Sequence, residues 1–241
     1  MPARMAGQQL HILATGTSRG IGAAIARALQ GHRLIGHSSR NDVAGSIAAD
    51  LSEPGAARDL WTAALERLDG RIDVLVNNAG VFEAAPIELE AVEWLDRWER
   101  TMRINLTAAA EISRLAVLHF RERGGGRIVN VASRAAYRGD SPQHWHYAAS
   151  KAGMIGMTKS IARGYAAENI LAFAVCPGFT MTGMADDYLA SRGGEQLLRD
   201  IPLGRVANPE EVAETVRWLA CDAPASATGA IIDVNGASHV R

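Results

Sequence analysis

Short apolar segments rich in β-branched residues alternate along this chain with longer stretches of helical pattern. The hydrophobicity of the short segments is continuous, as in strands that are covered on both faces of a parallel sheet. Strands are predicted at residues 10–15, 33–37, 46–49, 72–76, 127–132, 171–175 and 230–234. Helices are predicted near residues 20–30, 55–68, 88–121, 146–167, 185–199 and 209–220. The pattern predicts an α/β fold, a Rossmann-like doubly wound parallel sheet with helices on both faces.

Length and composition limit the number of domains and the classes of binding partner that can be expected. The 241 residues, 48% of them hydrophobic, can build one large core, so residues 1–241 are predicted to form a single domain. A net charge of -1 gives no global electrostatic reason to expect nucleic acid or an anionic membrane as a partner. The sequence shows no secretion signal and no run of ~18 apolar residues, which favours a cytoplasmic protein. Cys176 and Cys221 have no second ligand at metal-binding spacing, so no metal site is predicted.

A glycine-rich turn follows the first predicted strand and leads into a helix. Glycines let the backbone turn sharply and approach a diphosphate, and the N–H groups of the following helix favour negative charge. The spacing G-x-x-x-G-x-G differs from the common G-x-G-x-x-G, and tight packing alone would also require glycine. The position at the first strand-to-helix turn nevertheless favours a dinucleotide site. Its candidate residues are Gly16, Ser18, Arg19, Gly20, Ile21 and Gly22.

The end of the second predicted strand bears on which dinucleotide is bound. An acidic residue there would bind a ribose 2′-hydroxyl, but residues 36–40 contain none. Arg19 and Arg40, with Ser39, could instead hold a 2′-phosphate, so NADP(H) is the preferred cofactor. The alternative is NAD(H), in which case Asp42 would bind the ribose. Asp50 and Leu51, after the third strand, are expected to meet the adenine. Asp50 could equally cap the next helix.

Tyr147 and Lys151 stand four residues apart in a predicted helix. At this spacing the two side chains share one face, so the ammonium can favour the phenolate and lower the tyrosine pKa from ~10 towards neutrality. That is a way to make an acid/base from tyrosine. The same pair also occurs on solvated helix faces, so the remaining motifs must decide between the two interpretations.

Further motifs occur at the carboxyl ends of strands, where open α/β sheets bind ligands. Residues 77–80 read N-N-A-G after the fourth strand, Ser133 follows the fifth, and Pro177 and Gly178 follow the sixth. Together with the glycine turn and the Tyr147–Lys151 pair, they make the chain resemble the short-chain dehydrogenase/reductase family over almost its whole length. Residues 201–205 and 208–213 bring it closest to the branch that contains 3-oxoacyl-carrier-protein reductases.

The resemblance implies a single NAD(P)-binding catalytic domain and a set of catalytic residues. Ser133 would donate a hydrogen bond to the substrate oxygen, and Tyr147 would protonate that oxygen while nicotinamide delivers hydride to the carbon. Lys151 would lower the tyrosine pKa and hold the nicotinamide ribose, to which Tyr147 also lies close. Asn105, on the long central helix, would hold a water that connects Lys151 to solvent.

The resemblance also implies contacts to the cofactor and to the substrate. Asn78, Ala79 and Gly80 would lie beside the cofactor, and Pro177 and Gly178 would meet the nicotinamide carboxamide together with Thr180 or Thr182, the choice remaining open. The candidate substrate-binding residues are Ser133, Ala135, His144, Trp145, Tyr147, Phe179 and Met184. Residues 178–203 are predicted to act as a lid.

The substrate is expected to be a small-molecule or acyl-thioester carbonyl compound. Arg134 and Arg138 could form a basic surface for an acidic carrier protein, but Glu168 stands where a basic residue is usual in that branch. The resemblance further implies a homodimer or homotetramer. An NAD-dependent secondary alcohol dehydrogenase, or a dinucleotide-binding regulator without turnover, are the alternative functions.

Overall fold

Residues 9–40, 43, 45–181 and 198–241 are described by the computed structural model. They contain one parallel sheet with the strand order β3-β2-β1-β4-β5-β6-β7. The strands are β1 His11–Ala14, β2 Arg33–Ser38, β3 Ser46–Ala48, β4 Val74–Asn77, β5 Gly126–Val131, β6 Ile170–Pro177 and β7 Ile231–Val234. The helices are α1 Gly20–Ala28, α2 Ala56–Arg67, α3 Ala91–Met102, α4 Ala108–Glu122, α5 Ala135–Arg138, α6 Trp145–Tyr165 and α7 Pro209–Cys221.

The predicted α/β fold is confirmed, and two predicted elements need comment. The helix expected at residues 88–121 begins at Ala91 and is interrupted by a π-helical turn at Arg103–Thr107, which separates α3 from α4. The helix expected at residues 185–199 falls almost entirely outside the described residues. Short 3-10 turns at Ala166–Glu168 and Ala225–Ala227 complete the observed elements.

Continuous hydrophobicity in the strands is explained by two cores, one on each face of the sheet. Ile12 of β1 packs on the face covered by α1 and α7, whereas its neighbour Leu13 packs on the face covered by α2 and α4. Val74 and Leu75 of β4 divide in the same way. Each such side chain contributes roughly 1.5–3 kcal/mol when it is fully buried. Strands covered on both faces leave only their ends for function.

The strand order reverses between β1 and β4, and this reversal positions the site. β1 pairs with β2 on one side and with β4 on the other, with Ala14 opposite Val76 at the carboxyl end. A sheet of this kind opens a crevice where the connections leave in opposite directions. The glycine turn after β1 and the segment after β4 therefore border the same crevice.

Local hydrogen bonds and a proline stabilise the N-terminus of α7. Asn208 caps the helix in a capping box with Glu211, and Pro209 occupies the first turn. Within the described part of the chain, no helix is both long enough and apolar enough to cross a membrane.

Candidate active site

The glycine turn after β1 is closely packed against the segment that follows β4. Gly16 has a φ of 69°, and a Cβ added there would lie 2.7 Å from the Cα of Ala79. A Cβ on Gly22 would lie 1.9 Å from the carbonyl oxygen of Gly16. Helix α1 begins at Gly20, directly after Arg19, and no side chain caps its N-terminus. A glycine turn that leads into an uncapped helix N-terminus is suited to a diphosphate, so this cradle fits a dinucleotide.

Asn78 and Thr15 lock this turn to the end of β4. The Asn78 amide nitrogen donates to the carbonyl oxygens of Thr15, at 3.0 Å, and Gly16, at 2.9 Å. In return, the backbone N–H groups of Asn78 and Ala79 donate to the Thr15 hydroxyl at 3.0 and 2.9 Å. Of the predicted cofactor residues 78–80, Asn78 and Ala79 thus hold the glycine turn in place.

His37, which the sequence analysis did not select, braces the same turn from β2. Its Nδ1 accepts a hydrogen bond from the backbone N–H of Gly16 at 3.1 Å, and its Nε2 lies 2.9 Å from the carbonyl oxygen of Ala49. A carbonyl can only accept, so Nε2 carries the proton and the ring is neutral. Burial lowers the pKa of His37 in agreement with this assignment. The sequence could have pointed to His37, because it is a titratable residue at the end of a predicted buried strand.

The predicted 2′-phosphate residues lie at the carboxyl ends of β1 and β2. Arg19, Ser39 and Arg40 are exposed there, and the backbone N–H of Arg40 donates to the Ser38 hydroxyl at 3.1 Å. Asp42, the alternative ribose ligand, lies outside the described residues.

The two residues predicted to meet the adenine are engaged within the protein. Asp50 accepts hydrogen bonds from the backbone and hydroxyl of Ser52, at 2.9 and 2.7 Å, and these bonds lower its pKa. It closes a local turn, since α2 begins only at Ala56. Leu51 is buried in the core beside α2. Contact with adenine stays a prediction for both residues.

The catalytic candidates come together where β5 ends and α6 begins. Ser133, just after β5, lies close enough to Tyr147 to lower the pKa of its phenol, and the Ser133 hydroxyl accepts from the backbone N–H of Ala135 at 3.1 Å. Lys151 is 4% exposed, and its Nζ donates to the Val131 carbonyl oxygen at 2.8 Å. The same Nζ lies 5.8 Å from the centroid of the Tyr147 ring. One phenol, one hydroxyl and one ammonium therefore lie near each other, with Ser133 and Lys151 buried and Tyr147 half-buried.

Electrostatics at this site differ from the sequence-based expectation. Burial raises the pKa of Tyr147 to about 12, although the nearby Ser133 lowers it. Burial also lowers the pKa of Lys151 to about 8. The expected fall in the Tyr147 pKa is thus wrong for this structure, because desolvation dominates and the ammonium is directed at Val131. Tyr147 is consequently a protonated hydroxyl at neutral pH.

Asn105 lies in the π-helical turn between α3 and α4. Its side chain accepts from the backbone N–H of Val81 at 2.8 Å and donates to the Val81 carbonyl at 3.0 Å. A Cβ on Gly80 would be 3.3 Å from the Asn105 oxygen and 3.6 Å from the Lys151 ammonium. Wide turns of this kind frequently occur at functional sites. The structure places Asn105 beside Lys151, whereas its role in holding a water stays a prediction.

Comparison with known proteins agrees with this arrangement. Residues 16–239 match a family model described as Enoyl-(Acyl carrier protein) reductase, a span that starts at the glycine turn and includes every catalytic candidate. The chain belongs to the short-chain dehydrogenase/reductase family. It is therefore an NAD(P)-dependent oxidoreductase, and its dinucleotide is a nicotinamide dinucleotide.

Two relatives within this family align over nearly the whole chain, and a third aligns over about two thirds of it. An Acetoacetyl-CoA reductase from Shinella zoogloeoides is 35% identical over 237 residues, which cover 93% of this chain and 96% of the relative. A 3-oxoacyl-[acyl-carrier-protein] reductase from Vibrio harveyi is 35% identical over 245 residues, covering 95% and 96%. One from Thermotoga maritima is 41% identical over 167 residues, covering 69% of this chain and 66% of the relative.

An aromatic wall flanks the tyrosine of this short-chain dehydrogenase/reductase. The Phe82 ring stacks on His144 with centroids 3.9 Å apart and meets the Tyr147 ring edge-on at 4.8 Å. Phe82 was not selected from the sequence, although it follows the N-N-A-G motif by two residues. Trp145 was selected, but it packs towards Trp94 of α3 instead. The reason is geometric, since residues two apart on a helix do not share a face.

The segment after β6 is only partly described. The backbone N–H of Gly178 donates to the Val234 carbonyl at 2.9 Å, and the buried Thr180 hydroxyl donates to the Gly178 carbonyl at 3.3 Å. Phe179 is partly exposed. Thr182, Met184 and most of the predicted lid lie outside the described residues, so the choice between the two threonines stays open.

Proposed function

We propose that this protein is an NADP(H)-dependent carbonyl reductase, with Tyr147 as the group that protonates the substrate oxygen. One arrangement supports the proposal best: the Tyr147 phenol lies near Ser133, beside the buried ammonium of Lys151 and the exposed ring of Phe82. A protonated tyrosine with a pKa of about 12 is a proton donor rather than a base at neutral pH. In this state Tyr147 can donate the proton that reduction of a carbonyl consumes.

The residues divide the task by position. Ser133 and Tyr147 would both hydrogen-bond to the carbonyl oxygen, and the Tyr147 proton would move to that oxygen as negative charge develops on it. The bound nicotinamide would supply the hydride to the carbonyl carbon. Lys151 would hold the nicotinamide ribose, and its charge, once turned towards the phenol, would favour the phenolate left after proton transfer. Asn105 holds the backbone of Val81 and would keep Lys151 connected to solvent through a water.

The substrate class follows from the relatives and from the surface. Relatives are named for acetoacetyl-CoA and 3-oxoacyl-[acyl-carrier-protein] reduction, which supports a 3-oxoacyl type of ketone. Docking of an acidic carrier protein is less well supported, because Arg134 is buried and Glu168 pairs with Arg121. We therefore favour a small ketone or a soluble thioester over a carrier-bound substrate.

Cofactor selectivity offers a direct test. Arg19 and Arg40 stand exposed at the strand ends where a 2′-phosphate would lie. Replacing Arg40 with Asp should weaken NADPH binding by roughly tenfold or more, since it removes a charge-assisted bond and adds repulsion, and should weaken NADH binding far less. Titration of both dinucleotides by fluorescence measures the two affinities. Equal changes for both would remove Arg40 from the 2′-phosphate site.

Turnover is tested with NADPH and a panel of β-keto esters, diketones and quinones, following the absorbance of the reduced nicotinamide. We expect reduction of at least one β-keto compound, and turnover by the Tyr147→Phe variant that is lower by roughly a hundredfold or more. A dinucleotide-binding protein that reduced nothing on the panel would be a regulator rather than an enzyme of this kind.

We also propose that the chain is one domain and forms a homodimer or homotetramer. Leu118 on α4 is an exposed large hydrophobic residue, and helix α4 is expected from the family resemblance to pair between subunits. Light scattering coupled to gel filtration gives the mass, and a monomer at micromolar concentration would contradict this expectation.

A further inference from the structure

Arg134 is an unusual arginine. Its side chain belongs to a residue that is 8% exposed, and its Nη1 atom is buried without a hydrogen-bond partner among the described residues. Burial lowers the pKa of this guanidinium, yet an arginine remains charged at any physiological pH. A buried charged donor without a partner costs roughly 1–3 kcal/mol or more. Such a group is normally satisfied by a water, an ion or a ligand.

Its location is at the catalytic end of the crevice. Arg134 directly follows Ser133, and its guanidinium lies over the ring of Phe179 at 5.1 Å from the centroid. The carboxylate of Asp140 influences the pKa of both the Arg134 guanidinium and the Tyr147 phenol. The guanidinium and the reacting hydroxyl are thus within electrostatic range of the same group.

The charged neighbours do not neutralise Nη1. Arg138 disfavours the charge on Arg134, whereas Asp140 and Asp200 favour it without forming a hydrogen bond to Nη1. Asp200 lies 3.6 Å from Arg138, with which it pairs. The diphosphate cradle is at β1, two strands away from β5, at roughly 10 Å given the usual strand spacing. An anion on the substrate side is therefore the fitting partner.

We propose that Arg134 binds a carboxylate carried by the substrate, so that, among the small ketones and soluble thioesters favoured above, a small keto acid is the preferred substrate. This inference rests on the proposed function, since it places the reacting carbonyl at Tyr147. The planar guanidinium matches a carboxylate better than a lysine would, because it can donate two parallel hydrogen bonds. A thioester of the same acid has no charge at that position.

The test uses a matched pair of substrates, acetoacetate and ethyl acetoacetate, which differ in the negative charge. In the Arg134→Met variant we expect KM for the acid to rise roughly ten- to a hundredfold, the loss typical of a hydrogen bond to a charged group. KM for the ester should change less than twofold. Arg134→Lys should recover part of the affinity for the acid. Arg138→Met, which removes an exposed arginine four residues away, is the control and should alter neither KM.

An equal rise in KM for the acid and the ester, or no rise for either, would overturn the proposal. Arg134 would then be a residue that serves packing only. Thermal unfolding of each variant separates that case from simple misfolding. Binding of acetoacetate in the presence of NADP+, followed by saturation-transfer NMR, gives a readout without turnover. Binding that disappears in Arg134→Met sustains the carboxylate site even if no carbonyl is reduced, a result that would sink the proposed function alone. Absence of binding to the unmodified protein would overturn the carboxylate site.

Discussion

The two ends of the crevice differ in how their polar groups are hydrogen-bonded and solvated. At the nucleotide end, Thr15, Asn78 and His37 each have partners within the protein and fix the glycine turn from two sides. At the catalytic end, Lys151 and Arg134 are charged groups held in a poorly solvated region, and the Tyr147 pKa is raised. The nucleotide end is complete by itself, whereas the catalytic end contains groups that a ligand would satisfy.

This difference indicates where the protein gives up stability for function. Satisfied hydrogen bonds contribute roughly 0.5–1.5 kcal/mol each, while a buried charge subtracts from stability until it finds a counterpart. A cofactor cradle that is already formed loses little entropy on binding. Perturbed pKa values, by contrast, cluster where proton transfer takes place.

The largest expected effect separates chemistry from binding at the catalytic end. Tyr147→Phe removes one oxygen atom, and we expect turnover to fall roughly 10²- to 10⁴-fold, the usual contribution of a positioned acid. Dinucleotide affinity should stay within about twofold, because the cradle at β1 is untouched. Steady-state kinetics and fluorescence titration measure the two quantities. A variant that kept a tenth of the turnover would show that Tyr147 is not the proton donor.

At the nucleotide end, the largest effect is expected from Gly22→Ala. The added Cβ would lie 1.9 Å from the Gly16 carbonyl oxygen and 2.6 Å from the Asn78 amide, so the turn must move. Dinucleotide affinity should fall roughly a hundredfold, since positioning of the cradle is lost. Gly31→Ala is the matched control, because a Cβ there meets nothing within 4 Å. Similar affinities for both variants would mean that the cradle is not preformed.

Lys151→Met tests whether the catalytic end costs stability. Burial lowers the Lys151 pKa to about 8 from 10.5, so the folded protein binds this proton more weakly than the unfolded chain does. Below pH 8 the full penalty applies, and it disappears as the pH rises towards 10.5. The variant should therefore be more stable than the wild type at pH 7, by at most about 3 kcal/mol, less the lost bond to Val131.

The stability difference between wild type and variant should narrow from pH 8 upwards in denaturant unfolding. The raised pKa of Tyr147 affects both proteins alike and cancels from the difference. Lys159→Met, at an exposed position on the same helix, should show no such pH dependence. A variant that was less stable than the wild type at every pH would indicate that Lys151 is a structural residue.

The fold could be predicted from the sequence because its signals are local. Continuous apolar strands, glycine at Gly16 and Gly22, and the cap at Asn208 each follow from conformational or packing rules within a few residues. The catalytic candidates Ser133, Tyr147 and Lys151 were selected through the family resemblance, because helix spacing alone left the Tyr147–Lys151 pair undecided. The structure brings the three residues together where β5 ends and α6 begins, and their catalytic roles stay predictions.

Contacts between residues that are distant in the sequence could not be predicted from local sequence patterns. The direction of the Lys151 ammonium depends on the Val131 carbonyl of a neighbouring strand, so the sign of the Tyr147 pKa shift was predicted wrongly. Burial of Arg134 depends on Phe179, from a distant part of the chain. The brace at His37 joins the glycine turn, β2 and Ala49, and no motif links these three segments in the sequence.

The smallest of the four effects is expected at His37, and it tests whether the nucleotide end is braced by its own hydrogen bonds. His37→Leu loses both ring contacts, so we expect dinucleotide affinity to fall roughly tenfold and the free energy of unfolding by about 1–2 kcal/mol. His37→Asn can still offer an oxygen to the Gly16 N–H. Its dinucleotide affinity and its free energy of unfolding should therefore lie between those of the wild type and those of His37→Leu. Because burial places the folded pKa below 6.5, stability from the neutral ring is present above pH 6.5 and declines as the pH falls below it.

Protonation at Nδ1 would remove the acceptor for the Gly16 N–H, while the carboxylate of Asp50 acts against burial by raising the His37 pKa. Affinity of the wild type for the dinucleotide should consequently weaken below pH 6.5, and that of His37→Asn should not. Nitrogen NMR of the imidazole reports the tautomer directly, with Nδ1 unprotonated at neutral pH. An Nδ1 proton, or identical pH profiles for the two proteins, would show that the glycine turn holds its shape without His37 and that the two ends of the crevice differ less than their hydrogen bonds indicate.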